Sequence, residues 1–335
     1  MTRIRHAHRR RSPPRLPPFA LLAILVAMLI PGPPSQAVEE PFTFALMGDT
    51  PYSRFERAHM PTLLERMASA GARFILHVGD FKSGQTPCSD AVFEDRLSLF
   101  DHQPLAFILT PGDNEWLDCG RSSAGGFDPL DRLAWLRAHF FPPGRSLGTH
   151  PLPVVSQAGD PSHGAYRENL RWRVGPVLFA TLNVPGPDNN WGGGTNPTPE
   201  YSARQAANSA WLASAFEIAR REGLAAVVVA FQADPGFEDA ASGRPQRGFR
   251  ALLDQLREEA ENFSGQLVIA HGDSHIHRID HPLFDRQGRP LPRVTRVETH
   301  GFPFMGWVEV RVTPGATPLF RFTPHLYAPG EGPSP

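Results

Sequence analysis

The sequence contains few of the residues that mark several protein classes. It has one lysine, Lys82, two cysteines and a formal net charge of −1 at pH 7. Without a basic excess, the chain lacks the electrostatic footprint of a nucleic-acid-binding protein. Its 30 glycines and 36 prolines among 335 residues indicate many loops. They stay below the combined fraction of about 25–30% that is typical of disordered chains.

The first 37 residues differ from the rest of the chain. They carry arginines but no acidic residue, and an unbroken apolar run, Phe19–Ile30, precedes a small-residue end at Ser35-Gln36-Ala37. This order is typical of a secretory signal peptide, and the run is shorter than the roughly 20 residues that a membrane span needs. We therefore predict cleavage after Ala37 and export to the periplasm or the medium, with no membrane span after cleavage. An uncleaved signal anchor is the alternative.

The two cysteines are Cys88 and Cys119. In an oxidising compartment an isolated pair favours a disulfide. Two free, buried thiols are the alternative that the residues alone leave open.

Short apolar runs alternate with longer amphipathic stretches after residue 38. The predicted strands are Phe42–Met47, Arg73–Val78, Leu105–Leu109, Val177–Leu182, Ala226–Phe231, Leu267–Ala270, Val294–Glu298, Trp307–Val312 and Leu319–Phe322. The predicted helices are Phe55–Ala70, Ala91–Phe100, Pro129–Phe140, Ala203–Glu222 and Gly248–Glu261. This alternation predicts an α/β sandwich with partly parallel sheets, in a single domain over residues 38–327 with a flexible tail at 328–335.

Four predicted strands are each followed within a few residues by a Gly-Asp pair. The aspartates are Asp49, Asp80, Asp113 and Asp273. Ligands of open α/β sheets bind at the carboxyl ends of the strands, and glycine lets the backbone turn sharply there. Each pair alone is ordinary turn chemistry, but four in one chain indicate a site.

In motif order the chain resembles the calcineurin-like metallophosphoesterases. The counterparts of the family motifs are Asp49-Thr50-Pro51, Gly79-Asp80, Gly112-Asp113-Asn114-Glu115, Gln232, and Gly272-Asp273-Ser274-His275. The resemblance covers about residues 42–277. It implies a four-layered α/β/β/α sandwich of two mixed sheets flanked by helices. It also places the loops of Cys88 and Cys119 side by side, which predicts that they form a disulfide.

The resemblance further implies a site for two divalent metal ions. Asp80 is the bridging ligand, and the remaining implied ligands are Asp49 and His275 on one side and Asp113, Gln232 and Asp273 on the other. Several family histidines are absent: Pro51, Asn114, Gln232 and Asp273 stand in their places, and Asp113 stands where the family has asparagine. Oxygen ligands favour Mn²⁺ or Mg²⁺ over Zn²⁺, with iron or Ca²⁺ as further options.

Clustered carboxylates raise one another's pKa, so they need a cation or protons to balance them. A metal-free cluster neutralised by Lys82 and protons is the alternative to the two-metal site.

The implied function is hydrolysis of a small or macromolecular phosphomonoester or phosphodiester by metal-activated water. Asn114, His275 and Lys82 are the predicted catalytic residues, with His271, His277 and His300 as other candidates for a proton donor. The alternative function is a binding or scaffold protein that kept the fold and lost catalysis, because Asn114 cannot titrate. The sequence leaves the substrate and the oligomeric state open.

Overall fold

The computed structural model of the protein describes residues 40–329 together with Thr2. The chain divides into two compact units, Met1–Val38 and Glu39–Pro335, and the description below concerns the second. The predicted signal peptide and residues 330–335 of the predicted tail lie outside the described residues, and these boundaries stay predictions. Across residues 40–329, every helix is too short or too polar to cross a bilayer.

Within residues 40–329, the strands form two mixed sheets. They are β1 Phe42–Met47, β2 Ala72–His77, β3 Ala106–Leu109, β4 Val155–Ser156, β5 Leu170–Val174, β6 Val177–Thr181, β7 Ala226–Ala230, β8 Gln266–His271, β9 Arg278–Asp280, β10 Val294–Glu298, β11 Gly306–Val312 and β12 Phe320–Leu326. The first sheet has the order β12-β11-β1-β2-β3, and the second has the order β4-β5-β6-β7-β8-β10-β9. Strands β1 to β3 run parallel, as do β6, β7, β8 and β10.

The helices of the same region cover the outer faces of the two sheets. They are α1 Arg54–Ser69, α2 Asp90–Asp101, α3 Pro129–His139, α4 Pro199–Arg221, α5 Phe237–Ala241 and α6 Arg247–Asn262. Helix α1 begins at a capping box, in which Ser53 Oγ accepts a hydrogen bond from Glu56 N at 3.1 Å and Glu56 Oε2 accepts one from Ser53 N at 3.2 Å. This cap holds the end of the first motif loop against the helix.

Successive side chains of a strand point to opposite faces of the sheet, so the apolar residues form two separate cores. In β7, Val228 faces the first sheet, whereas Val227 and Val229 pack with the apolar faces of α4 and α6. Between the sheets, the ring of Phe44 from β1 meets that of Phe179 from β6 edge-on, with centroids 5.2 Å apart. The predicted four-layered α/β/β/α arrangement is therefore confirmed.

The predicted elements match the observed ones with a few differences. Helix α4 begins at Pro199, four residues before its predicted start, because Thr198 Oγ1 caps it by accepting a hydrogen bond from Tyr201 N at 3.1 Å. Strand β5, which the sequence analysis does not predict, alternates apolar residues with arginines that face outward. Its pairing with β6 decides its conformation, and that pairing is a tertiary interaction.

Candidate active site

Four aspartates follow the carboxyl ends of parallel strands in the two sheets. Asp49 follows β1, Asp80 follows β2, Asp113 follows β3, and Asp273 follows β8 of the second sheet. Three of them, and His275, have a positive φ: 51° at Asp49, 58° at Asp80, 77° at Asp273 and 61° at His275. Strained backbone conformations of this kind concentrate at functional sites. The structure thus brings the predicted aspartates of both sheets to one edge of the sandwich.

Asp49 and Asp273 connect the two sheets through the backbone. Asp273 N donates to both carboxylate oxygens of Asp49, at 3.1 and 3.2 Å, and Thr299 Oγ1 donates to Asp49 Oδ2 at 3.2 Å. His275 Nε2 lies 3.7 Å from Asp49 Oδ1. The structure therefore groups Asp49 with His275, as in the predicted ligand set, and also with Asp273, which the prediction assigns to the other side.

Neutral hydrogen-bond donors face Asp80. Its Oδ2 accepts from Tyr52 Oη at 2.7 Å, from Asn114 Nδ2 at 2.7 Å and from Gln232 Nε2 at 3.3 Å. Its Oδ1 accepts from Asn114 N at 3.1 Å. Asn114 and Gln232, which stand at two family histidine positions, thus bind the carboxylate that the resemblance assigns as the bridging ligand.

Gly186, in the loop after β6, lies between two of the carboxylates. A Cβ at this position would stand 3.1 Å from Asp113 Oδ2 and 3.2 Å from both oxygens of Asp273. Gly186 N also donates to Gln232 Oε1 at 3.0 Å. The absence of a side chain at Gly186 allows Asp113 of the first sheet and Asp273 of the second to approach the same point.

Burial and like charges together raise the pKa values of these carboxyl groups. The pKa of Asp49 is raised well above its usual range by burial and then by Asp273, and that of Asp80 by burial and then by Asp113. Burial, followed by the neighbouring Asp118, raises the pKa of Asp113 to about 7. The cluster thus favours protons or cations.

Lys82, a predicted catalytic residue, is fully buried beneath the site. Its Nζ donates to the carbonyl of Ser83 at 3.1 Å, and burial lowers its pKa although Glu115 and Asp80 oppose that shift. This position favours charge compensation within the cluster over contact with a substrate. Its predicted catalytic role stays a prediction.

Glu115, the last residue of the third motif, links two strand ends. Its carboxylate accepts from Asp80 N at 3.1 Å, from Gly112 N at 2.7 Å and from Phe81 N. It thereby ties the loop after β2 to the loop after β3. The motif position was visible in the sequence, but this bridging role depends on the spatial adjacency of the two loops.

A pocket of about 540 Å³ opens over the cluster. It is lined by Asp80, Asp113, Asn114, Asp273 and His275, together with Tyr52, Ser53, Ser83, Gly84, Gln85, Asp118, Arg121 and Phe302. The sequence analysis misses Tyr52, Arg121 and Phe302. Tyr52 directly follows the first motif, and Arg121 comes two residues after a cysteine of the predicted bridge, so the sequence could have indicated both as residues near the site. Phe302 is remote from every motif, and nothing in the sequence indicates its position.

The other histidine candidates are placed differently. His271 and His300 are buried, and burial lowers the pKa of each to about 4. His277 Nδ1 lies 2.8 Å from the carbonyl oxygen of Glu298. None of the three is among the residues that line the pocket, whereas His275 is.

One Gly-x-Ser-x-Gly sequence, the pattern of a serine-hydrolase nucleophile, occurs at 144–148. Its serine, Ser146, is buried. Its hydroxyl donates to Leu147 O at 2.8 Å and accepts from Leu152 N at 3.0 Å. This segment is not a turn from a strand into a helix, so Ser146 is not an exposed nucleophile.

Cys88 and Cys119 form a disulfide, with their Cα atoms 5.6 Å apart. The bridge joins the segment before α2 to the short 3₁₀ helix Leu117–Gly120 that follows the third motif. The predicted disulfide is confirmed, and it fastens the loops that carry Asp80 and Asp113.

The donor set fits a hard divalent cation in its chemistry, since it consists of carboxylates, one amide and one imidazole. As the side chains stand, no three His, Cys, Asp or Glu groups among residues 40–329 are close enough together to hold an ion. The side-chain donors of Tyr52, Asn114 and Gln232 all point to Oδ2 of Asp80, whereas Oδ1 accepts one hydrogen bond, from Asn114 N. An ion that binds Oδ2 therefore requires these three side chains to turn their donor groups away.

Comparison with known proteins supports the fold. No family model matches the chain, and no curated protein matches its sequence. A dimetal phosphatase from Danio rerio has a similar structure, with a TM-score of 0.51 and 12% sequence identity, covering 86% of this chain and 97% of that one.

Two further solved structures are more distant. A purple acid phosphatase from yellow lupin (Lupinus luteus) has a TM-score of 0.45 and 12% identity over 82% of this chain, which spans 50% of that protein. A phosphatase from Mycoplasma pneumoniae has a TM-score of 0.43 and 11% identity, covering 86% of this chain and 94% of that one. The predicted fold is supported by the similarity to the dimetal phosphatase, which concerns the fold alone.

Proposed function

We propose that this chain is an exported, metal-dependent hydrolase of phosphomonoesters or phosphodiesters. The observation that carries the proposal is the convergence of four aspartates from two sheets. Asp80, Asp113 and Asp273 line one pocket, and buried Asp49 accepts hydrogen bonds from Asp273 N. Buried like charges destabilise a fold unless a cation or protons balance them. A fold by itself does not imply an activity, so the proposal rests on these side chains.

The ion ligands would be Asp49, Asp80, Asp113, Gln232, Asp273 and His275. Bound ions would polarise phosphoryl oxygens and lower the pKa of a water molecule. Because oxygen donors predominate, Mn²⁺ or Mg²⁺ suits the set better than Zn²⁺, with iron or Ca²⁺ as further options.

Two side chains of the pocket suit contact with the substrate itself. The Arg121 side chain is half exposed and paired with Asp118, and its guanidinium can bind a phosphoryl oxygen. Asn114 Nδ2 can donate a hydrogen bond to the leaving oxygen but cannot supply a proton. Aryl esters, whose leaving groups need little protonation, should therefore react faster than alkyl esters.

The test measures metal content and turnover in the same preparations. We expect the purified protein to hydrolyse p-nitrophenyl phosphate or bis-p-nitrophenyl phosphate with Mn²⁺ or Mg²⁺, and EDTA to abolish the activity. Asp80→Asn should lower metal content and reduce the rate by roughly 100-fold or more. Asp254→Asn, at an exposed position of α6, is the control and should change neither.

Equal metal content in wild type and Asp80→Asn would contradict the proposed site. Turnover that survives EDTA would contradict metal dependence.

A specific observation favours a second candidate function, a binding or scaffold protein on the same fold. Asp80 Oδ2 accepts hydrogen bonds from three neutral donors, and an ion that binds this oxygen requires those donors to move. If the protein hydrolyses neither aryl substrate, whether or not it binds Mn²⁺, this second candidate is favoured.

A further inference from the structure

An apolar groove of about 340 Å³ lies beside the acidic pocket. We call it the aromatic groove; its main lining residues are Phe55, Phe302, Phe304, Met305, Leu326 and Tyr327. They come from the start of α1, the loop after β10 and the end of β12. The groove is thus assembled from the start of α1 and from two segments near the end of the chain that flank the hairpin of β11 and β12.

The apolar side chains of the aromatic groove are unusually accessible to solvent. Phe304 is 61% exposed, Leu326 57% and Phe55 50%. Single exposed apolar residues are normal on a protein surface, but contiguous ones that line a concavity mark a binding site.

The aromatic groove is continuous with the acidic pocket. Ser53 and Phe302 line both. The Phe302 ring stacks on Tyr52 at a centroid distance of 6.2 Å, and Tyr52 Oη donates to Asp80 at 2.7 Å. The carbonyl of Phe302 lies 2.8 Å from His275 Nδ1. Phe302 therefore lies at the boundary that the acidic pocket and the aromatic groove share.

The charges of the residues that line the groove indicate which kind of group can bind there. Glu56 is the one charged residue among those that line it, and they include no lysine, arginine or histidine. Outside the lining, the guanidinium of Arg66 stands over the Tyr327 ring at 4.6 Å, and His59 contacts the Phe55 ring. The lining itself presents apolar surface and one carboxylate, whereas an anionic membrane surface is recognised through basic residues. An uncharged apolar group is the occupant that fits.

We propose that the aromatic groove binds the apolar alcohol or phenol portion of a phosphoester whose phosphate lies in the acidic pocket. The substrate class is then esters of long-chain or aromatic alcohols. This inference rests on the proposed function, and it makes the groove the determinant of which ester group is accepted.

Binding of non-hydrolysable phosphonates tests the groove without turnover. Titration calorimetry in the presence of Mn²⁺ would compare methylphosphonate with hexylphosphonate. We expect hexylphosphonate to bind at least roughly tenfold more tightly, because its extra methylenes become buried. In Phe304→Ser and Leu326→Ser this ratio should fall toward one, while methylphosphonate affinity stays the same.

Leu130→Ser is the matched control. Leu130 is 54% exposed on α3, close to the 57% of Leu326, and is not among the residues that line the groove. This variant should keep the wild-type ratio. Melting temperatures of all three variants would show that each is folded, and the wild-type ratio alone already tests the proposal.

The outcomes separate this inference from the proposed function. Equal affinities for the two phosphonates, or binding of neither, would contradict the proposed role of the groove, whether or not the protein hydrolyses the aryl substrates. A retained hexyl preference with no hydrolysis of either aryl substrate would support the groove and contradict the hydrolase proposal. Binding to phosphatidylglycerol vesicles that is lost in Leu326→Ser, without a hexyl preference, would assign the surface to a membrane and overturn the inference.

Discussion

The residues of the site differ from the family pattern in a consistent direction. At three of the four replaced histidine positions a carboxylate or an amide replaces the imidazole, and the amides of Asn114 and Gln232 both point to Asp80. Hydrogen bonds to a carboxylate stabilise its charged form, whereas burial and neighbouring charges oppose it. The positions of these side chains therefore decide how readily the cluster takes up an ion.

The first prediction concerns Gly186. In Gly186→Ala the new methyl would stand 3.1 Å from Asp113 Oδ2 and 3.2 Å from the oxygens of Asp273, so the two carboxylates must move apart. We expect the affinity for Mn²⁺, measured by titration calorimetry, to fall by roughly tenfold, which is about 1.4 kcal/mol.

Gly193→Ala is the control for this substitution, because a Cβ there would meet nothing within 4 Å. It should leave Mn²⁺ affinity unchanged. If Gly186→Ala binds Mn²⁺ as tightly as Gly193→Ala, Asp113 and Asp273 do not hold the ion together.

At the scale of elements, the end of β10 carries a buried acidic residue. Glu298 pairs across the strands with Arg278 of β9, and its Oε2 lies 2.5 Å from Arg278 Nε. Ser274 Oγ donates to the same carboxyl group. Burial nevertheless raises the pKa of Glu298 to about 7, above the ordinary 4.5.

This shift predicts how stability depends on pH. Since the folded-state pKa is the higher one, protonated Glu298 stabilises the fold; this contribution is complete below about pH 4.5 and is lost as pH rises through about 7. In Glu298→Gln, the free energy of unfolding should fall less between pH 5 and pH 8 than in wild type, as measured by urea denaturation.

Glu222→Gln serves as the reference variant, because Glu222 forms exposed ion pairs with Arg173 and Arg221. It should show the wild-type pH dependence. An identical fall in stability in Glu298→Gln and wild type would show that Glu298 does not titrate in this window.

The disulfide acts on two elements at once, since it joins the segment before α2 to the 3₁₀ helix after the third motif. Its cysteines are 31 positions apart. In the chain-entropy model, a loop of that length stabilises the folded state by about 3 to 4 kcal/mol. Replacing both cysteines with alanine should lower the free energy of unfolding by about that amount.

Unfolding by urea, followed by tryptophan fluorescence, measures the loss. Wild type in reducing agent should match the double variant. A double variant that is as stable as the oxidised wild type would mean that contacts other than the bridge hold the two loops.

At the scale of the whole molecule, the remaining prediction is export. The arginine-rich start and the apolar run Phe19–Ile30 predict cleavage after Ala37 and a mature chain that begins at Val38. N-terminal sequencing of the protein from its native compartment would test this. A membrane-bound chain that still carries residues 1–30 would indicate a signal anchor instead.

Much of the fold could be predicted because its signals are local. The succession of strands and helices follows from hydrophobic periodicity over short windows, so the bounds of β1 and β10 coincide with the prediction. The Gly-Asp pairs are local as well. Parallel strands bring their carboxyl ends to one edge, which is why the aspartates meet.

The surroundings of those aspartates follow from contacts between distant parts of the chain. Gln232 and Asp80 are 152 positions apart, and Asp273 and Asp49 are 224 apart, so no local pattern encodes their contacts. Tyr52, Arg121 and Gly186 reach the site through loops whose paths depend on the packing of both sheets.

The aromatic groove is the clearest example of a feature that the sequence could not predict. The order of the elements and the four aspartates at strand ends could be predicted from local patterns, and the pairing of the two cysteines from a resemblance. The sequence did not indicate that Phe55, Phe302 and Leu326 would line one concavity beside the acidic pocket. Each is an ordinary apolar residue in its own segment. They become a surface only because the sandwich places the start of α1, the loop after β10 and the end of β12 together.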